Sequence, residues 1–335
     1  MIVAEKAVLH ILDTGAEKAA LSDFLLPSDE DVQSFLERHI EKCLKRASRK
    51  PGSFYEGSAF KKRVEAYVSD GDFLAFSKYV AELWFDVLRQ AEDIVPSLLF
   101  VCDARVDDTR YIVLLRMRDR SELVHRAARE AEGLRLSVAK EAAVLPTAAQ
   151  RVEESVLLSV PALSLFVSQQ KYNVDGNRIF ALSEAVLDCS LTPSQQEAMK
   201  AIRVTAEKVA EDFGQDAVAT AASVKQAIAR EMEAGEAIDP VKTGRAIFPD
   251  RPAMQEEFRQ KLAASGFEGE KQIPVDREAV MKKVMNHRLR TDTGIELTIP
   301  VEYFDNTEYL EFNHEDDGSL RITLKHIGNI TNKAF

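Results

Sequence analysis

The sequence predicts an α+β protein: an N-terminal sheet-and-helix domain over residues 1–185, then a mainly helical domain over 186–335 that ends in a short β module. Strand-like apolar runs dominate between residues 97 and 167, capped amphipathic helices dominate after Thr192, and short turn-linked strands return after Gly294. A chain of 335 residues, 45% hydrophobic and 30% charged, is typical of a soluble globular protein with room for two domains.

The first elements are a strand over Ile2–Leu12 and a helix that we expect to run from a Ser28 cap to about Lys50. The following Pro51-Gly52 pair is a strong helix stop. The apolar positions of this helix fall on one side of a helical wheel, and its basic positions fall near the opposite side. The packing face and the basic face are therefore separable.

The rest of the N-terminal domain alternates helices with strands. Helices are expected around Ser58–Val68 and Gly71–Gln90, and strands at Leu98–Ala104, Tyr111–Met117, Leu134–Val138, Val156–Val160 and Leu163–Val167. Alternation predicts that Arg116, Arg118 and Arg120 point to one face of the sheet.

The C-terminal domain begins with a helix that Thr192 caps, with Pro193 at the first position and Gln195 returning a hydrogen bond to the cap. The remaining predicted elements are helices over about Asp216–Ala234, Pro252–Ala264 and Arg277–His287, the last capped by Asp276, and strands at Gly294–Ile299, Tyr309–Phe312 and Leu320–His326. Apolar residues Val218, Ala221 and Val224 are a candidate dimer surface, although the same positions suit a core.

Compartment signals favour the cytosol. No apolar run approaches the roughly 20 residues that span a bilayer, and the N-terminus does not read as a signal peptide. Cys43, Cys102 and Cys189 are far apart among apolar neighbours, which favours buried, reduced thiols.

Signatures of catalysis are missing from the sequence. There is no phosphate loop, dinucleotide turn, Gly-x-Ser-x-Gly or His-Glu-x-x-His, and the six histidines lack ligand spacing. Asn313–Gly318 is explained by a hairpin turn better than by a metal loop, and the acids of Gly266–Lys271 are spaced too loosely for a nuclease centre. We expect no enzyme activity, no cofactor and no metal.

One stretch reverses the charge of this chain, whose formal net charge is -11. We call the following residues the first basic group: Lys42, Lys45, Arg46, Arg49, Lys50, Lys61, Lys62 and Arg63. A local reversal of sign suits a surface that binds a polyanion. Basic runs on helices are also common as solvated faces.

A second basic group consists of Lys282, Lys283, Arg288 and Arg290, with His287 among them. Positive charge is favoured at a helix C-terminus for structural reasons alone. The polyanion hypothesis gains force if the two groups share a face, which the sequence does not specify.

Several separate stretches resemble the bacterial nucleoid-associated proteins of the NdpA/YejK type. The stretches are Asp70–Lys78, Ala7–His10, Glu233–Glu236, and a terminal module that runs from Phe267 through Pro274–Arg277 and Leu297–Ile299 to Leu320–Thr323. The resemblance implies a cytoplasmic bacterial protein that associates with the chromosome and binds DNA. None of these stretches is catalytic, and the resemblance identifies no DNA-contacting residue.

The leading hypothesis is a noncatalytic, nucleoid-associated DNA-binding protein that contacts backbone phosphates through both basic groups, with weak sequence preference for duplex DNA. A homodimer would double the contacts. The alternative from another class is an interaction protein that a DNA-processing partner recruits to the nucleoid through its acidic surface. No membrane is expected as a partner.

Overall fold

The protein was analysed as a computed structural model, and its fold is α+β, which confirms the predicted class. The structure describes residues 1–92, 95–118, 120–130, 133–147, 150, 152–235, 237–267, 273–274, 277–304, 306–315 and 319–329. The chain divides into two compact units, Met1–Thr192 and Pro193–Phe335. They are called unit 1 and unit 2 below.

Unit 1 contains the strands β1 (Ile2–Leu12), β2 (Lys50–Phe54), β3 (Ser97–Val106), β4 (Thr109–Met117), β5 (Arg120–Glu130), β6 (Gly133–Val144), β7 (Glu154–Ser159), β8 (Ser164–Ser168), β9 (Tyr172–Val174), β10 (Asn177–Ile179) and β11 (Cys189–Leu191). Seven of these strands form one antiparallel sheet in the order β1-β3-β4-β7-β8-β2-β11. The helices of this unit are α1 (Glu30–Leu44), α2 (Ala59–Asp70) and α3 (Phe73–Leu88), with a π-helical turn at Leu182–Val186.

The helices cover opposite faces of this sheet. Phe100 and Cys102 of β3 join the apolar cluster under α1, whereas Leu99 and Val101 join the cluster that holds α2 and α3. Successive side chains of a strand point to opposite faces. The sheet therefore lies between α1 on one side and α2 with α3 on the other.

The first helix is shorter than predicted. Its N-cap is Asp29, which accepts a hydrogen bond from Val32 N at 2.9 Å, rather than Ser28. It ends at Leu44 because Lys50–Phe54 forms β2, which pairs with β8 on one side and β11 on the other. Only distant strands satisfy the backbone groups of β2, so local sequence does not announce it.

A long hairpin leaves the sheet between β4 and β7. A strand was expected at Leu134–Val138, and the observed β6 is longer and pairs with β5, which was not predicted. The two strands form a separate two-stranded sheet. We call Arg120–Val144 the arm.

The alternating arginines at the end of β4 differ in burial. Arg116 is buried at the end of β4, where its Nε lies 2.9 Å from Glu154 Oε2. Arg118 is exposed and pairs with Glu153. Arg116 and Arg118 both contact Glu153, in keeping with the expected common face, but they differ in exposure because Arg116 also neutralises the buried Glu154 carboxylate.

Unit 2 is mainly helical and ends in short β-hairpins. Its helices are α4 (Gln195–Asp212), α5 (Ala217–Ala234), α6 (Pro240–Ile247), α7 (Pro252–Ala264), α8 (Arg277–Val284) and α9 (Val301–Phe304). Its strands are β12 (Ala237–Ile238), β13 (Ile273–Pro274), β14 (Asn286–Arg290), β15 (Glu296–Pro300), β16 (Leu310–His314) and β17 (Leu320–Leu324).

Two helix ends in unit 2 differ from the sequence predictions. The cap of α4 is Ser194 rather than Thr192, and it forms a capping box with Glu197. The last residues of the predicted Arg277–His287 helix belong instead to β14, which pairs with β15. The predicted Asp276 cap lies outside the described residues.

The three thiols are free and buried, as expected: Cys43, Cys102 and Cys189. In the part of the chain that the structure describes, no helix is both long and apolar enough to cross a membrane.

Candidate nucleic-acid interface

The first basic group begins at the C-terminal end of α1. Lys42 is exposed in the last turn of the helix, and Lys45 follows at the C-cap, where its Nζ lies 2.6 Å from Glu41 Oε1. Cations at this end are favoured by the negative pole of the helix dipole.

Arg46 and Arg49 are held in place by the sheet below them. Arg46 Nη2 donates to the carbonyl oxygen of Val152 at 2.8 Å. The Arg49 guanidinium lies 5.0 Å from the centre of the Phe166 ring, within range of a cation–π contact. These two arginines are half-buried, so their positive charges occupy defined positions at the protein surface.

Lys50 and the α2 residues belong to a different surface. Lys50 Nζ lies 5.6 Å from the centre of the Phe180 ring, and Lys171 Nζ lies 4.9 Å from the same ring. On α2, Arg63 stacks on Tyr79 at 5.4 Å. Lys62 of α2 is exposed, and Lys61 Nζ lies 3.9 Å from Glu65 Oε1.

The sheet therefore divides the first basic group into two sets. Lys42, Lys45, Arg46 and Arg49 lie on the α1 side, and Lys50, Lys61, Lys62 and Arg63 lie on the α2 side. Arg49, just before β2, contacts Phe166 of the cluster under α1, whereas Lys50 is paired with Val167 of the cluster that holds α2 and α3. The hypothesis that all eight residues contact phosphates on one side does not match this arrangement, because strand alternation sends adjacent side chains apart.

The second basic group lies in unit 2, on α8 and β14. Lys282 and Lys283 belong to α8. Arg288 and Arg290 belong to β14 and are exposed, with Arg290 Nε 3.9 Å from Glu296 Oε1. The two basic groups thus belong to different compact units.

Two further cations, Lys225 and Arg203, accompany Arg288, and neither was identified from the sequence. Lys225 Nζ of α5 donates to the carbonyl oxygen of Asn286 at 3.0 Å. Burial, followed by the positive charges of Arg203 and Arg288, lowers the pKa of Lys225. These three cations come from α4, α5 and β14, so no sequence spacing could have revealed their proximity.

The other candidate residues have structural roles or lie in stretches that are only partly described. His39 is buried against Phe35, with Nδ1 2.9 Å from the Phe35 carbonyl oxygen, as a structural histidine would be. Val224 is buried in the unit 2 core, so it does not belong to a dimer surface. Most of Gly266–Lys271 and part of Asn313–Gly318 lie outside the described residues. Within those that are described, no group of three or more His, Cys, Asp or Glu side chains is placed to hold a metal ion.

A sheet domain with surface cations held by carbonyl and aromatic contacts, and a helical unit with a second cationic set, suit a protein that associates with a polyanion. Residues 8–331 match the model of the family described as nucleoid-associated protein YejK. The chain belongs to this family, and its role is therefore a nucleoid-associated one. No curated protein matches the chain.

Proposed function

We propose that this protein is a noncatalytic, cytoplasmic DNA-binding protein of the nucleoid that contacts backbone phosphates of duplex DNA. The observation that carries the proposal is the anchored set at the end of α1, where Arg46 is fixed on the Val152 carbonyl and Arg49 on Phe166. Arginines held in one geometry lose little side-chain entropy on meeting phosphates. The second basic group supplies an additional contact, and a homodimer would double both.

The acidic balance of the chain restricts how such binding works. A formal net charge of -11 repels DNA from most of the surface. Affinity then depends on counterion release at the few cationic sites, so it falls steeply with salt. These contacts position the protein without reading bases, which predicts weak sequence preference.

The test is fluorescence anisotropy of a labelled duplex across a salt series, with wild type beside the double variant Lys42→Gln/Lys45→Gln. Both lysines are exposed at the end of α1. Because each lost phosphate contact removes about 0.9 from the slope of log affinity against log salt, we expect the slope to fall by about 2.

The matched control removes two positive charges elsewhere. The control is the double variant Arg105→Gln/Arg245→Gln. Arg105 lies on β3, four strands away from β2 in the sheet order, and Arg245 lies on α6 of unit 2. This double variant is expected to keep the wild-type slope. Equal slopes for all three proteins would rule out Lys42 and Lys45 as phosphate contacts. A wild type that binds no duplex at low salt would favour recruitment by a DNA-processing partner through the acidic surface.

A further inference from the structure

The arm is an unpartnered element of unit 1. Its strands β5 and β6 pair with each other, and in the described part of the chain none of its residues belongs to an apolar core cluster. Two-stranded hairpins are marginally stable alone in water. We therefore expect a hairpin of this length to contact a binding partner.

The two faces of the arm differ in composition. Pairing places Leu123 opposite Lys140, His125 opposite Val138, Ala127 opposite Leu136 and Arg129 opposite Leu134. We call these eight residues the cationic–apolar face. Its large aliphatic side chains are strongly exposed: Leu123 75%, Leu134 65%, Leu136 71% and Val138 69%. Contiguous exposed apolar side chains mark binding surfaces.

Charge separates the faces further. The cationic–apolar face carries Arg129 and Lys140, and none of its eight residues is a carboxylate. The opposite face also carries two arginines, Arg126 and Arg135, but it adds the carboxylates of Glu122 and Glu141, and Glu141 Oε2 lies 3.0 Å from Arg126 Nη2. In a chain of net charge -11, a face without carboxylates is complementary to a polyanion.

A second copy of the chain fits this face less well. In a two-fold, antiparallel, face-to-face pair, the tip of one arm meets the root of the other, so Arg129 would approach Lys140 of the second copy. Like charges placed opposite each other destabilise such a contact. The major groove of DNA has phosphates along both edges and base edges between them, and the thymine methyl groups are its apolar part.

The root of the arm is continuous with the anchored arginines. The arm leaves β4 after Met117 and returns to β7 at Glu154, and these strands pair at that end of the sheet. Arg46 donates to the carbonyl oxygen of Val152, two residues before β7 in the return segment. The α1 end and the arm thus belong to one end of unit 1.

We propose that the cationic–apolar face of the arm docks into a groove of duplex DNA, with Arg129 and Lys140 on phosphates and the aliphatic side chains against sugars and bases. A two-stranded β-ribbon is one of the elements that the major groove admits. This inference rests on the proposed DNA binding and adds the element that enters the DNA.

The test compares two matched single substitutions, Ala127→Glu and Ala128→Glu. These neighbours are both exposed alanines of β5 on opposite faces, Ala127 opposite Leu136 and Ala128 opposite Arg135, so the same side chain is added once to each face. The full-length proteins are titrated against a labelled duplex by anisotropy, and their masses without DNA are measured by sedimentation equilibrium. Circular dichroism verifies that both variants are folded.

Ala127→Glu is expected to weaken duplex binding by about tenfold, because its carboxylate would lie between two lines of phosphates. Ala128→Glu is expected to bind within about twofold of wild type, since its carboxylate faces away. Equal affinities of the two variants would overturn the inference and leave the proposed DNA binding intact.

The mass measurement tests whether a second copy of the chain, rather than DNA, covers this face. If Ala127→Glu dissociates a wild-type dimer and Ala128→Glu does not, a second copy covers this face, and the inference is wrong whatever the affinity. If wild type binds no duplex at low salt, the inference and the proposed function fail together.

Discussion

Replacing Glu154 by glutamine is expected to lower the free energy of unfolding of unit 1 by about 3 kcal/mol. Glu154 is fully buried, and its Oε2 accepts hydrogen bonds from Arg116 Nε at 2.9 Å and the Tyr172 hydroxyl at 2.6 Å. Glutamine keeps the shape and removes the charge. The buried guanidinium then retains only Glu153, 3.3 Å away, as its carboxylate partner among the described residues.

The measurement is urea denaturation followed by tryptophan fluorescence. The single tryptophan of the chain, Trp84, is fully buried in the core of unit 1 and reports on that unit. The control is Glu5→Gln, which breaks the exposed pair with Arg105 and is expected to cost less than about 1 kcal/mol. Equal losses for the two variants would show that the buried pair contributes no more than a surface one.

Acidification from pH 7 to pH 5 is expected to cost unit 1 about 2 kcal/mol of stability through His10 alone. His10 is fully buried on β1, and its Nδ1 accepts a hydrogen bond from Ser22 N at 3.1 Å. Burial, assisted by the positive charge of Lys78, lowers the pKa of His10 from 6.5 to about 4.

The sign follows from proton uptake. Below pH 6.5 His10 is protonated in the unfolded chain but stays neutral in the folded protein. Proton binding therefore lowers the free energy of the unfolded state and destabilises the fold. The stability that neutral His10 contributes is fully present above the pKa of the unfolded chain, 6.5, and is lost as the pH falls toward the folded-state pKa of about 4.

The test is urea denaturation of wild type and His10→Gln at both pH values, again followed through Trp84. All other titrating groups are common to the two proteins, so the difference between their pH dependences isolates His10. We expect the variant to lose about 2 kcal/mol less than wild type. Parallel losses in the two proteins would show that His10 is not the acid-sensitive group.

The elements that the sequence predicted well are those whose signals are local. Helices α2 and α5 lie close to the predicted ranges Ser58–Val68 and Asp216–Ala234, and α7 occupies the predicted range Pro252–Ala264. Apolar periodicity acts within a few residues, so a single sequence carries it, whereas the predicted caps Ser28 and Thr192 are replaced by Asp29 and Ser194. The stretches that resemble the YejK family likewise identified the family that the chain belongs to.

Long-range pairing accounts for most of what was missed. Strand β2 begins at Lys50, inside the expected end of a helix, because β8 and β11 supply its partners from more than a hundred residues away. Strand β5 lies in a polar stretch and exists as the partner of β6. Neither strand has a local pattern strong enough to compete with a helix or a loop.

The chemistry of this protein divides along the same line. Sequence alone predicted the α+β class, the buried thiols, the family and the presence of basic groups in an acidic chain, because composition and periodicity are properties of neighbouring residues. Tertiary structure alone turned Arg116 inward, separated Arg49 from Lys50, brought Lys225 to Arg288 and gave the arm one face without carboxylates. Those outcomes depend on which distant strands and helices pair, and that choice is made by the packing of the whole unit.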